Sequence, residues 1–312
     1  MVAFLYNLYK INSFRKVSAK TAVLITGCDS GLGYSFARHC NELGMTVFSC
    51  VLNENSQGAD DLKLRENTYV LRLDVTDRES INNLQTKVNK IVTAQEYDFL
   101  GIVNNSGVMV FGEYEWLTEN QIDNQINVNF RGTIHVTKAF LPLIRKYKGR
   151  VINVTSHCSV VPLPTLSVYA GTKAAVDAWS SALRIELEKF DVKVITLTPG
   201  SYVTQSNIMS RQIEYKENMK KEMLLEAQDV YNEYFNRFHD YLSTIPCQKE
   251  LVYIQDNNLM SKFDKALLSN KPAISYVNSP TRYKFFHFII RFAPTVYLRH
   301  FFIRMYMNFP KW

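Results

Sequence analysis

The chain has 312 residues, five cysteines and a formal net charge of +7. That length accommodates one large α/β domain with a buried core, and no Gly/Pro/Ser-rich linker divides it. An odd cysteine count without a CxxC pair argues against a disulfide framework or a metal site. The excess charge argues against nucleic acid: from Lys265 onward there are eight Lys/Arg and no Asp or Glu, whereas the first 264 residues carry 28 basic and 29 acidic side chains. A nucleic-acid-binding core would itself be basic; a basic tail suits an anionic membrane surface.

Met1–Tyr9 is apolar and aromatic, and Lys10, Arg15, Lys16 and Lys20 follow it. The order is not that of a signal peptide, and no stretch reaches the ~18–20 apolar residues of a spanning helix. Residues 1–20 are therefore expected to make at most a shallow membrane contact. Ala22–Thr26 is a short apolar run that predicts a buried strand. It ends in Thr26-Gly27-Cys28-Asp29-Ser30-Gly31-Leu32-Gly33. Ser35–Leu43 has helical spacing and stops at Gly44. Strands are predicted at Thr46–Leu52, Tyr69–Leu73, Leu100–Val103, Arg150–Val154 and Lys193–Leu197. Helices are predicted at Arg78–Val92, from Gln121 to about Arg145, and at Thr172–Phe190.

Continuous apolar strands alternating with helices predict a parallel sheet covered on both faces, a doubly wound Rossmann-type α/β fold. After Gly200 the alternation is expected to stop. Residues 21–275 form the expected core domain, with a helical, Met-rich substrate lid at 205–250. Residues 276–312, aromatic and with six Lys/Arg, form the expected membrane-associating tail.

Ligands of such sheets bind beyond the carboxyl ends of the strands. The glycine turn, Asp74, Asn104-Asn105-Ser106-Gly107, Ser156 and Pro199-Gly200 all follow predicted strands. Gly27, Gly31 and Gly33 before a helix let the backbone approach a pyrophosphate. No Arg or Lys lies between Arg38 and Lys63, so the turn after the second strand offers a 2′-phosphate no cation and NAD is favoured over NADP. Asn53, with Glu54 beside it, faces the ribose there. Asp74 is expected to accept from the adenine amino group or to cap the next helix. Tyr169 and Lys173 share a helix face, where an ammonium lowers a phenol's pKa toward that of a usable base. Ser156 can steady developing negative charge on a substrate oxygen. Neither His157 nor Cys158 belongs to an ordered nucleophilic set, and no metal ligand set is evident.

These residues resemble the short-chain dehydrogenase/reductase family over roughly residues 20–205. The turn resembles the family's TGxxxGxG motif, which implies cofactor contacts by Gly27, Ser30, Gly31, Leu32 and Gly33, with Asp74 and Val75 at the adenine. Asn104, Asn105 and Gly107 resemble its NNAG stretch, with Ser106 replacing alanine. Asn129 matches the family's proton-relay asparagine, and Ser156, Tyr169 and Lys173 complete the catalytic tetrad. Tyr169 and Lys173 also contact the cofactor, as do Pro199, Gly200 and Thr204 at the nicotinamide end. The version TGCDSG is similar to the branch of hydroxysteroid, retinol and D-3-hydroxybutyrate dehydrogenases. The resemblance implies an oxidoreductase using NAD on an apolar alcohol, steroid in type, at the endoplasmic reticulum membrane, with a mitochondrial membrane as the alternative. Retinol, a small hydroxy acid or a non-catalytic nucleotide-binding scaffold are the competing expectations, and a homodimer is left open.

Overall fold

The structure, a computed structural model, describes residues 13–247, 250–307 and 310. The expected membrane contact of residues 1–20 falls largely outside them. Seven strands form one parallel sheet in the order β3-β2-β1-β4-β5-β6-β7. They are β1 Thr21–Thr26, β2 Thr46–Val51, β3 Thr68–Arg72, β4 Asp98–Asn104, β5 Arg150–Val154, β6 Lys193–Thr198 and β7 Ser275–Val277. β1, β2 and β5 are buried along their whole length, the reason their sequences run apolar without alternation.

Helices cover both faces. On one side α1 (Gly31–Glu42) packs with α2 (Gln57–Lys63) and α9 (Asn257–Leu268), and Phe36 stacks on Phe263 with centroids 4.2 Å apart. On the other lie α3 (Arg78–Ala94), α5 (Thr133–Lys146) and α6 (Ser167–Glu188), with Val88, Phe140 and Leu183 among the buried side chains. α4 (Glu119–Ile126) begins in a capping box, Thr118 with Gln121, and runs into α5. The run predicted as one helix from Gln121 is interrupted by a π-helical turn at Asn127–Gly132. Such widened turns cluster at functional sites.

The alternation does not stop after Gly200. α9 and β7 form one more crossover, and β7 pairs in parallel with β6, Leu197 opposite Tyr276. Before it lie α7 (Gln212–Glu222) and α8 (Leu225–Ser243), in the region expected to be a lid. After it, α10 (Thr281–Phe292) and α11 (Val296–Met307) form a helical pair. Their Ile290 and Ile303 pack with Val161 in a small separate core.

Candidate active site

α1 starts at Gly31 inside the glycine turn, four residues before the sequence periodicity becomes helical. Gly27 has φ +72° and Gly31 φ +59°, a region disfavoured for other residues. A Cβ on Gly33 would lie 2.1 Å from the Gly27 carbonyl oxygen. Asn105 fixes the turn from the neighbouring strand: its Nδ2 donates to the Thr26 and Gly27 carbonyls at 3.0 and 3.3 Å. Thr26 Oγ1 accepts from the amides of Asn105 and Ser106, both at 3.0 Å. Ser30 occupies the N-cap position without a side-chain cap bond, so its side chain leaves the amides at the start of α1 open to a phosphate. The turn opens on a cleft lined by Asp29, Ser30 and Gly31, facing Gln205–Asn207 and Glu250–Val252. Leu32 is half-buried behind it. This cradle fits a dinucleotide.

At the turn after β2, where the sequence points to Asn53, the structure also places Asp29. Its two carboxylate oxygens accept from the amides of Leu52 and Asn53 at 3.0 and 2.8 Å. Asn53 itself is exposed and accepts from the Asn55 amide. The signal for Asp29 was an acidic residue inside a turn read for its glycines. Asp74 does not cap the following helix: Asp77 does, accepting from Glu79 and Ser80. Asp74 instead closes a small turn, accepting from the Thr76 amide and hydroxyl at 2.9 and 2.7 Å. Val75 is buried, and a Cβ on Gly132 would fall within 2.8 Å of it. Asn104 points into the sheet, donating to Thr137 and Asn153. Its side chain therefore serves packing.

The other four residues converge. Asn129, fully buried in the π-helical turn, accepts from the Val108 amide at 2.8 Å. It donates to the Val108 carbonyl at 2.9 Å and to Thr172 at 3.1 Å. A Cβ on Gly107 would lie 3.4 Å from both Asn129 Oδ1 and Lys173 Nζ, so amide and ammonium flank one exposed glycine. α6 starts at Ser167 rather than Thr172, which places Tyr169 in its first turn and Lys173 one turn on. Lys173 Nζ donates to the Val154 carbonyl at 3.0 Å and lies 5.9 Å from the Tyr169 ring centroid. Ser156 follows β5, lies beside the Tyr169 phenol and accepts from the Cys158 amide at 3.2 Å.

The electrostatics correct one expectation. Burial pushes the Tyr169 phenol well above its ordinary value, the Cys158 thiol adds to this, and the neighbouring Ser156 hydroxyl opposes it. Burial pushes Lys173 down to about 8. Desolvation thus shifts both groups toward their neutral forms.

Pro199 is buried and Gly200 half-buried after β6, and Thr204 is exposed in the short helical turn Val203–Gln205. Over Tyr169 lies an apolar cluster that the sequence indicated only in part. Met109–Phe111 and Leu166 join Met209, Tyr215, Met219, Met223, Phe235 and Phe238 from the region of α7 and α8. Trp116 is its hub, with the rings of Tyr231, Tyr234, Phe235 and Phe238 at 5.1–5.6 Å. Among the described residues there is no cluster of three metal-ligating side chains.

A glycine cradle at the carboxyl end of β1 in a 3-2-1-4-5-6-7 parallel sheet defines a dinucleotide-binding Rossmann protein. The short chain dehydrogenase family model matches residues 21–214, and the chain belongs to that family of oxidoreductases. It is 35% identical to estradiol 17-beta-dehydrogenase 2 of Rattus norvegicus, covering 84% of this chain and 69% of that protein. It is 36% identical to the mitochondrial D-beta-hydroxybutyrate dehydrogenase of the same species, covering 61% of this chain and 56% of the relative. A short-chain dehydrogenase structure from Streptomyces avermitilis superimposes with a TM-score of 0.53 at 29% identity, over 58% of this chain and 67% of the other. Family membership carries with it a nicotinamide cofactor and a small-molecule substrate with a CH–OH group.

Proposed function

We propose that the protein oxidises a bulky apolar secondary alcohol, steroid in type, with NAD. The observation that carries this is the apolar cluster to which Tyr169 belongs, with Met109, Phe111, Met209, Met219, Met223 and Phe235. A hydroxy acid would need a fixed cation for its carboxylate, since an unpaired buried charge is costly. Arg211, the candidate the sequence offers, is committed to Glu214 at 2.7 Å and stays about half exposed. Lys173 is committed to the Val154 carbonyl.

The nicotinamide supplies the hydride acceptor. The chain supplies the rest: Tyr169 takes the hydroxyl proton, Ser156 holds the substrate oxygen, Lys173 favours the phenolate as it forms, and Asn129 orders the path by which that proton leaves. NAD over NADP is supported by Asp29 and Glu250 in the cleft and by the absence of Lys or Arg among its described lining residues. A 2′-phosphate would meet carboxylates there.

The tail supports attachment to a membrane surface, with the endoplasmic reticulum as the proposed site. No described helix is long and apolar enough to cross a bilayer. Yet Phe285, Phe288 and Phe292 of α10 are each more than 60% exposed, on a tail without acidic residues. Aromatic rings among cations suit a helix lying in the interface. Steady-state turnover of steroid alcohols with NAD and with NADP tests substrate and cofactor together. Turnover confined to NADP would refute the cofactor assignment.

A further inference from the structure

Asn278, the first residue after β7, is buried and makes hydrogen bonds with every polar group it has. Its backbone amide donates to the Thr198 carbonyl at 2.7 Å, just before Pro199-Gly200. Its carbonyl accepts from His157 Nε2 at 3.2 Å, and His157 directly follows Ser156. Its Nδ2 donates to the Tyr202 hydroxyl at 2.8 Å and to Asp256 Oδ2 at 3.1 Å. The Tyr202 hydroxyl in turn donates to the same Asp256 oxygen at 2.6 Å. Its Oδ1 accepts from Asn258 Nδ2 at 2.5 Å and from Lys262 at 3.2 Å.

Three separate loops meet at this one residue, the first through its backbone carbonyl and the others through its side-chain amide. The first carries Ser156. The second runs from Pro199 through Tyr202 to Gln205 and Ser206, one wall of the cofactor cleft. The third runs from Glu250–Val252, the opposing wall, to Asp256, which caps α9. Without the Asn278 side chain the hydroxyl of Tyr202 and the carboxylate of Asp256 would still meet, but that pair would lose its side-chain bonds to the residue whose backbone holds β6 and the serine loop.

We propose that Asn278 is a positioning residue that sets the two walls of the cofactor cleft relative to the Ser156 loop, through a Tyr202–Asp256–Asn278 clasp. The proposal rests on the cofactor site described above. The amide's two ends are not equivalent: one must donate to Asp256 while the other accepts from Asn258 and Lys262. A carboxylate in its place keeps the accepting side and sets two negative charges against each other on the donating side.

The test compares N278D with the swap D256N/N278D, which restores one donor and one carboxylate in mirror order. NAD binding is measured by titration calorimetry on the full chain, beside kcat and KM and the thermal midpoint of each variant. At pH 8, N278D should bind NAD about tenfold more weakly, the effect of one charge-assisted hydrogen bond. The loss should shrink as pH falls and the two carboxylates come to share a proton. The swap should recover most of the binding at pH 8. Wild-type affinity in N278D would overturn the proposal. So would a loss in N278D that follows the thermal midpoint alone and is not recovered by the swap. If the wild-type protein binds NAD but oxidises no alcohol, the functional assignment fails while the binding comparison still decides the clasp.

Discussion

Tyr169 is the residue on which the chemistry turns. Tyr169→Phe keeps the ring in its apolar cluster and removes the proton acceptor, so turnover should fall about 10²–10⁴-fold. NAD affinity by calorimetry should hardly change. Near-wild-type turnover would refute the assignment. Asn53→Arg places a cation at the ribose corner, where Asp29 already grips the Asn53 amide. It should move the kcat/KM ratio toward NADP by about tenfold or more; an unchanged ratio would mean the ribose lies elsewhere. Lys173 carries a pH signature. Its ordinary value is 10.5 and burial holds it near 8, so between these values the unfolded chain binds more protons and stability should rise with pH through this window. Lys173→Met should therefore raise the thermal midpoint of the cofactor-free protein below pH 8, with the gain fading toward pH 10. A pH-independent difference would contradict the burial argument. Ser156, Tyr169 and Lys173 were legible because their spacing is the chemistry. Asp29 was not, because its role depends on reaching a strand end 23 residues away, which no local pattern encodes. Asp74 and Asp77 both fit a helix start in sequence, and only backbone direction separates them.

Among the elements, Trp116 ties α8, in the region proposed as a lid, to the segment after β4. Trp116 is 1% exposed and enclosed by rings on α8, while Tyr231 and Tyr234 hydrogen-bond Glu115 and Glu113 beside it. Trp116→Ala should cost about 3–5 kcal/mol in stability and should speed proteolysis within α7 and α8 before the sheet opens. Uniform proteolysis across the chain would show that the lid is not a separate unit. Six strands and the longer helices between them were readable because buried parallel strands write continuous apolar runs, but the short helix α2 was missed. β7 was not: it is three residues long, two of them exposed, and it owes its place to pairing with β6. The π-helical turn was hidden for the opposite reason. Asn127–Gly132 sits inside a run of good helical spacing, and its extra residue per turn is set by the bonds of Asn129 to Val108 and Thr172.

At the scale of the molecule, charge and aromatic surface are segregated from the catalytic core. The near-neutral part binds cofactor, and the tail adds the positive excess. α10 and α11 dock through Ile290 and Ile303 onto Val161, in the loop between Ser156 and Tyr169, and expose Phe285, Phe288 and Phe292 outward. Replacing these three by serine leaves the docked residues in place. It should cut co-sedimentation with anionic phospholipid vesicles at least tenfold, since each buried phenyl ring contributes about 1.5–3 kcal/mol. Undiminished sedimentation would place the membrane contact elsewhere.

The most direct measurement of the central claim is the ratio of specificity constants for a steroid alcohol and for D-3-hydroxybutyrate, both with NAD and the full-length chain. An apolar cluster over Tyr169 and an Arg211 bound to Glu214 predict a preference of at least a hundredfold for the steroid, the scale of discrimination set by an uncompensated buried carboxylate. A preference for the hydroxy acid would contradict the account, and Arg211 would then be the first residue to test as its anchor.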